Sequence, residues 1–249
     1  NSTYKPDAAA PNVDNAYYDN IWSLKPDTLF GIQVDVDLNN QLSVTTQLVS
    51  KGAKNYDTEI EWLYAGYELT PKLLIKFGKQ RLPLYNYSDF QDVGYAYHWT
   101  RPPLEVYGEE LSSYEGISTL YTDSFGDWDY DTQLYWGNTY AGDTPLGDLH
   151  LKDVLGTVLS ITNDEIKYRL SAHRANAWTD GETGLATVVD KDSPSNAKFY
   201  SGGVFYDTGA WLVGSEVTYM DAGLIQSDTD GGTFVNRTTW MITAAYRIN

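Results

Sequence analysis

Apolar and polar residues alternate along most of the chain with a period of two. Phe30, Ile32, Val34, Val36 and Leu38 are apolar, and Gly31, Gln33, Asp35 and Asp37 stand between them. Successive side chains of a strand point to opposite faces, so this run reads as a strand with one apolar and one polar face. Asn39-Asn40 follows, and Asn tolerates the positive φ of a tight turn. Leu42, Val44 and Leu48 then alternate with Ser43, Thr45 and Gln47, which completes a hairpin. The unit recurs around Thr70-Pro71-Lys72, Ser124-Phe125-Gly126-Asp127, Asn163-Asp164-Glu165 and Thr208-Gly209. A last run carries Trp240, Ile242, Ala244, Tyr246 and Ile248 on one face. The pattern predicts about eleven antiparallel strands of roughly 9–12 residues.

The connections predicted between these strands alternate in kind. One set is short; the other, at 52–59, 84–115, 139–147, 177–196 and 222–236, is longer and polar. Short turns at one end and long loops at the other are the asymmetry of a transmembrane β-barrel, with short periplasmic turns and long extracellular loops. Strand length agrees, because spanning strands need about 9–11 residues whereas strands of soluble domains average about five or six. Trp128 and Trp136 open and close one apolar face, a separation of about 20 Å along the membrane normal for tilted strands. With Tyr168, Trp211, Trp240 and Tyr246, they are the candidates for an aromatic girdle. Leu149, Leu151, Leu155 and Leu159 read as one apolar face suited to a protomer contact or to lipid.

Composition narrows the field. The 249 residues contain no Cys, which excludes disulfide scaffolds, cysteine metal sites and a cysteine nucleophile. No apolar run reaches the roughly 18 residues of a spanning helix. Acidic residues number 34 against 17 basic, a formal charge of −17, which speaks against nucleic acid as a partner. Residues 1–27 are polar and show no basic-then-apolar leader. Lipid offers no hydrogen-bond partners, so a membrane sheet must close, and bacterial barrels usually have an even strand count. An odd count and a final residue, Asn249, that is not aromatic lead us to expect one barrel domain over 1–249 that lacks strands at one or both ends.

The longest loop carries the most specific signal. Gly78-Lys79-Gln80-Arg81-Leu82-Pro83-Leu84-Tyr85-Asn86 runs out of a strand, and Thr100-Arg101-Pro102 follows. This resembles Gram-negative outer-membrane porins, particularly gammaproteobacterial porins related to the phosphate-selective type. There a G-[RK]-x-[RK]-x-P-x-G-x-Y-N stretch precedes a T-R-P element. The second family glycine is absent here, where Leu84 and Tyr85 follow Pro83. The resemblance implies a barrel of about sixteen strands, with loop 84–115 folded into the lumen, and a homotrimer.

A loop folded inward narrows a wide channel, and the charges facing each other across it decide what passes. Candidate constriction residues are Arg81, Tyr85, Asp89, Arg101, Glu105 and Glu109, and candidate pore-lining residues are Lys76, Gln80, Lys167, Arg169 and His173. The expected function is passive diffusion of small hydrophilic solutes and ions across the outer membrane, with lipid and lipopolysaccharide as surroundings. The acidic total suggests weak cation selectivity. A soluble carbohydrate-binding β-sandwich and a structural or adhesive barrel are the alternatives. No enzyme motif is present: His98, His150 and His173 lack metal-ligand spacing, and no nucleophile elbow or phosphate loop occurs. No cofactor or metal is expected.

Overall fold

The structure is a computed structural model that describes residues 24–25, 28–90, 93, 98–99, 102–107, 111–144, 147–180, 191–221 and 236–247. Eleven strands form one antiparallel sheet in strict sequence order. They are β1 (Leu29–Asp37), β2 (Leu42–Lys51), β3 (Thr58–Thr70), β4 (Leu73–Arg81), β5 (Ser113–Phe125), β6 (Trp128–Thr144), β7 (Gly147–Thr162), β8 (Ile166–Asp180), β9 (Ser195–Asp207), β10 (Trp211–Asp221) and β11 (Arg237–Tyr246). One short helix, α1 (Leu104–Tyr107), lies in the connection after β4. Among the described residues no second sheet packs on the first, which removes the sandwich alternative. Among these residues too, β1 pairs only with β2 and β11 only with β10.

Turn chemistry fixes the register at the short-turn end. Asn39 Oδ1 accepts from the backbone N–H of Gln41 at 2.9 Å and of Leu42 at 3.0 Å. Asn163 Oδ1 does the same for Glu165 at 3.0 Å and Ile166 at 2.7 Å. Such side chains mimic a backbone turn and hold the two strands in line. Gly126 and Gly209 take φ of 61° and 81°, where an L side chain would be strained.

The expected loop at 139–147 is largely strand. β6 and β7 run on to Thr144 and from Gly147, and strand length reaches 17 residues. Gly142, Asp143 and Pro145 look like loop composition, but the cross-strand ladder continues through Thr139, Tyr140 and Ala141. A second difference follows from register. Lys152 pairs with Asn176 and Leu155 with Arg174, so β7 carries an extra residue there, and Asp153 has φ 52°. A bulge of this kind moves all later side chains to the opposite face. Leu149 is therefore buried with Val154, whereas Leu155 and Leu159 are exposed. The four leucines do not form one face.

The two faces of the sheet reverse the usual order of a soluble protein. Phe77, Trp240 and Ile242 are each 69% exposed, and Ile32, Leu134, Leu170, Val204 and Val217 are exposed with them. Glu216, Arg169 and His173 are 1%, 5% and 6% exposed. An exposed apolar band with charged groups buried on the other side is the arrangement of a wall whose outer solvent is lipid.

Candidate functional site

The chain leaves β4 at Arg81 and crosses the polar face. Leu82 N–H donates to Ser112 O at 2.9 Å and closes the base of the crossing. Leu84 O is met by Arg169 Nη1 at 3.1 Å and by the hydroxyls of Ser171 and Ser201 at 3.1 and 2.8 Å. Arg169 Nη2 donates to Pro83 O. The Asn86 N–H donates to Glu216 Oε1 at 2.9 Å, and the Tyr107 hydroxyl donates to Glu216 Oε2. His98 Nε2 and Thr243 Oγ1 are 2.7 Å apart. One loop is thereby tied to β8, β9, β10 and β11. Most of these ties join groups that are buried in the fold, where a hydrogen bond offsets the cost of desolvation.

Aromatic packing reinforces the crossing. Tyr85 lies 4.6 Å from Tyr107 and 5.3 Å, edge on, from Phe199. Tyr87 meets Trp99 and Phe205, each at 5.7 Å. Burial, with Glu216 nearby, pushes the Tyr87 hydroxyl up to about 12 and raises Tyr107 further. Both keep their protons, so Tyr107 stays a donor to the Glu216 carboxylate. Burial, then the charge of Arg247, lowers His98 below its ordinary value.

Beside the loop a cavity of about 450 Å³ remains against β3 to β8. Its charged lining is Lys76, Arg81, Lys167 and Arg169 with Asp89 and Asp131, and Gln80, Gln133 and Ser160 add neutral polar groups. Lys76 also stands over the Tyr64 ring at 4.9 Å. The structure thus gathers Lys76, Gln80, Arg81, Tyr85, Asp89, Lys167 and Arg169 around one space. His173 lies apart, against an apolar hollow. Arg101 and Glu109 fall outside the described residues, and of Glu105 only its backbone place in α1 is described. Reading the sequence missed Glu216, Tyr107, Ser171, Ser201 and Thr243. Glu216 did leave a trace, as the one charged residue between Trp211 and Met220.

The six aromatic candidates sit on the apolar side. Trp128 and Tyr168 are neighbours at 6.1 Å and Trp211 and Tyr246 at 4.8 Å, both pairs near the short turns. Trp136 and Trp240 are exposed nearer the other end.

No family model and no curated protein matches the chain. Among solved structures, an outer membrane protein of Vibrio cholerae, the loop L8 deletion mutant of OmpT, aligns over 89% of this chain and 68% of that one. The TM-score is 0.51 and the sequence identity 11%. The in-vitro folded OmpT of Vibrio cholerae, in its trimer form, aligns over 88% and 90% of the two chains at 13% identity. Its TM-score of 0.32 is below the level at which a shared fold follows. In fold, the chain is an all-β, antiparallel transmembrane barrel of the Gram-negative outer-membrane kind. Its apolar face is the side for lipid and its polar face the side for water.

Proposed function

We propose that this barrel is a passive diffusion channel for small hydrophilic solutes and ions, without catalysis of its own. The observation that carries the reading is the charged cavity between the docked loop and the polar wall. A rigid loop tied across a barrel narrows it without sealing it, and the remaining space is lined by groups that replace part of an ion's hydration. The reading requires that the β1 and β11 edges be paired in the membrane, by each other or by further strands.

Selectivity follows the local wall and not the whole chain. At a Debye length of about 8 Å, distant acidic groups are screened. Four basic groups face two acidic ones in the cavity lining, which favours a weak anion preference over the cation preference suggested by the total charge. The narrower resemblance to phosphate-selective porins rests on residues 78–86 and 100–102 alone and carries no part of this preference. Planar-bilayer recordings in a salt gradient test both points. Open-channel steps with a reversal potential on the anion side support the proposal. A protein that inserts but never conducts marks a structural barrel with a plugged lumen. A cation-side potential overturns the local-wall argument.

A further inference from the structure

The lipid-side face of β4 to β9 changes character in steps toward the long-loop end. Residues opposite each other on paired strands share a face, so the register sorts the side chains into rows. One row runs Phe77–Ile117–Trp136–Leu155 and continues on the next two strands as Arg174–Lys198. Two residues nearer the long loops, about 6.6 Å along a strand, stand Lys79, Glu115 and Asn138, with Lys152 opposite Asn176 beyond the bulge. Two residues further again stand Tyr140, His150 and Trp178. From the bilayer outward the strip is apolar, then largely cationic, then aromatic.

The cationic step is set against itself. Arg174 and Lys198 are directly opposite each other and both exposed, and like charges in that position repel. On its other side Arg174 faces Leu155. Carboxylates are near: Asp221 lies across from Lys198 and Glu115 across from Lys79, while Asp153 is held by Asn138 and Asn176. Among the described residues no ion pair joins Arg174 or Lys198 to any of them. At the short-turn end, by contrast, Lys72–Asp123 and Arg247–Asp207 are closed at 2.6 Å. A phosphate between Arg174 and Lys198 would replace the repulsion with charge-assisted hydrogen bonds from both sides.

Next to the cations is a hollow of about 420 Å³ whose lining includes Lys79, Glu115, Tyr140, His150, Lys152 and Trp178. The His150 and Trp178 rings are stacked, 5.1 Å apart with planes at 4°, and Tyr140 lies 5.0 Å from His150. Flat rings among polar groups suit a sugar, whose C–H face packs on a ring while its hydroxyls take hydrogen bonds. The long loops mark the outer side of the membrane, so this strip meets the outer leaflet. We propose that it binds a phosphorylated glycolipid of that leaflet, with the chemistry of lipopolysaccharide. Acyl chains lie along the Leu155 row, a phosphate sits between Arg174 and Lys198, and sugar occupies the hollow beside Trp178. A phospholipid offers the phosphate without a ring for the hollow, and free phosphate offers no chain for the apolar row. The site is on the outside of the barrel and does not depend on conduction through the lumen.

The test is native mass spectrometry of the protein in detergent, after refolding from urea without lipid. Diphosphorylated lipid A carrying inner-core sugars is expected to be retained at one molecule per chain. Removal of its phosphates, or its replacement by phosphatidylglycerol, is expected to weaken retention at least tenfold, and millimolar inorganic phosphate is expected not to displace it. The double variant Arg174→Gln, Lys198→Gln is expected to lose at least tenfold, whereas Lys72→Gln at the other end of the barrel changes nothing. Trp178→Ala is expected to weaken the sugar-bearing lipid and to spare lipid A without core sugars. Should a variant not fold, the wild-type lipid series decides alone. Equal retention of the dephosphorylated lipid or of phosphatidylglycerol overturns the site, as does displacement by phosphate or a double variant that binds like the wild type. No retention at all means that something else, such as a second copy of the chain, covers the strip, and overturns it too.

Discussion

At the scale of single residues, Glu216 is the keystone of the loop. Its two oxygens take one donor from each limb of the crossing, the Asn86 N–H and the Tyr107 hydroxyl. Glu216→Ala removes the acceptor that both donors share, and is expected to cost about 1–3 kcal/mol for each hydrogen bond lost. It should also raise single-channel conductance as the loop loosens, with Tyr107→Phe giving a smaller change in the same direction. Heat-modifiability on electrophoresis reads the first effect and bilayer recording the second. An unchanged conductance would count against a loop held by this carboxylate. His98 offers an independent probe of docking. Its proton affinity is lowered by burial and by Arg247, so the folded protein binds fewer protons there than the unfolded chain. The contribution to stability is therefore present above the ordinary pKa of 6.5 and is lost as the pH falls through the lowered value. An NMR titration should place the His98 midpoint below 6.5, and a midpoint above it would mean that the burial beside Arg247 is absent.

At the scale of elements, neighbouring strands are fitted by aromatic rings laid over glycines. A Cβ added at Gly156 of β7 would stand 2.3 Å from the Tyr135 ring and 2.4 Å from His173 Nδ1. At Gly137 of β6 it would stand 2.8 Å from the Tyr114 ring. Gly156→Ala is therefore expected to cost about 1–3 kcal/mol by overpacking and to separate Tyr135 from His173. A lowered thermal midpoint in detergent, with a changed His173 NMR signal, checks this. Strand identity was legible in the sequence because a half-apolar strand declares itself by alternation. Strand length was not, because β6 and β7 continue past the apolar band, where nothing rewards alternation. The bulge at Asp153 was equally hidden, since one extra residue changes the facing of Leu149 and Leu151 without changing their composition.

At the scale of the whole molecule, the sheet's curve of solvent exposure carries the account. Large apolar side chains lie open along one face, while Arg169, Glu216 and His173 lie covered on the other. The sequence showed two faces of opposite character; alternation is the same either way round, and it was the loop asymmetry, strand length and aromatic ends that pointed to the polar face as the one enclosing water. The sequence also showed Arg81, Lys167 and Arg169 as charges on strands without revealing that Leu84 O would sit between Arg169, Ser171 and Ser201. Those partners lie 85 to 117 residues from Leu84 and only the folded sheet brings them together.

The absence of cysteine makes the decisive measurement clean. Single variants Gln133→Cys and Leu134→Cys place a thiol on adjacent residues of β6, one lining the charged cavity and one 53% exposed on the apolar face. In protein reconstituted into liposomes, a water-soluble charged maleimide should label Gln133→Cys and leave Leu134→Cys unreacted. Equal labelling of the two, or labelling of Leu134→Cys alone, would place water on the wrong side of the sheet and contradict the account.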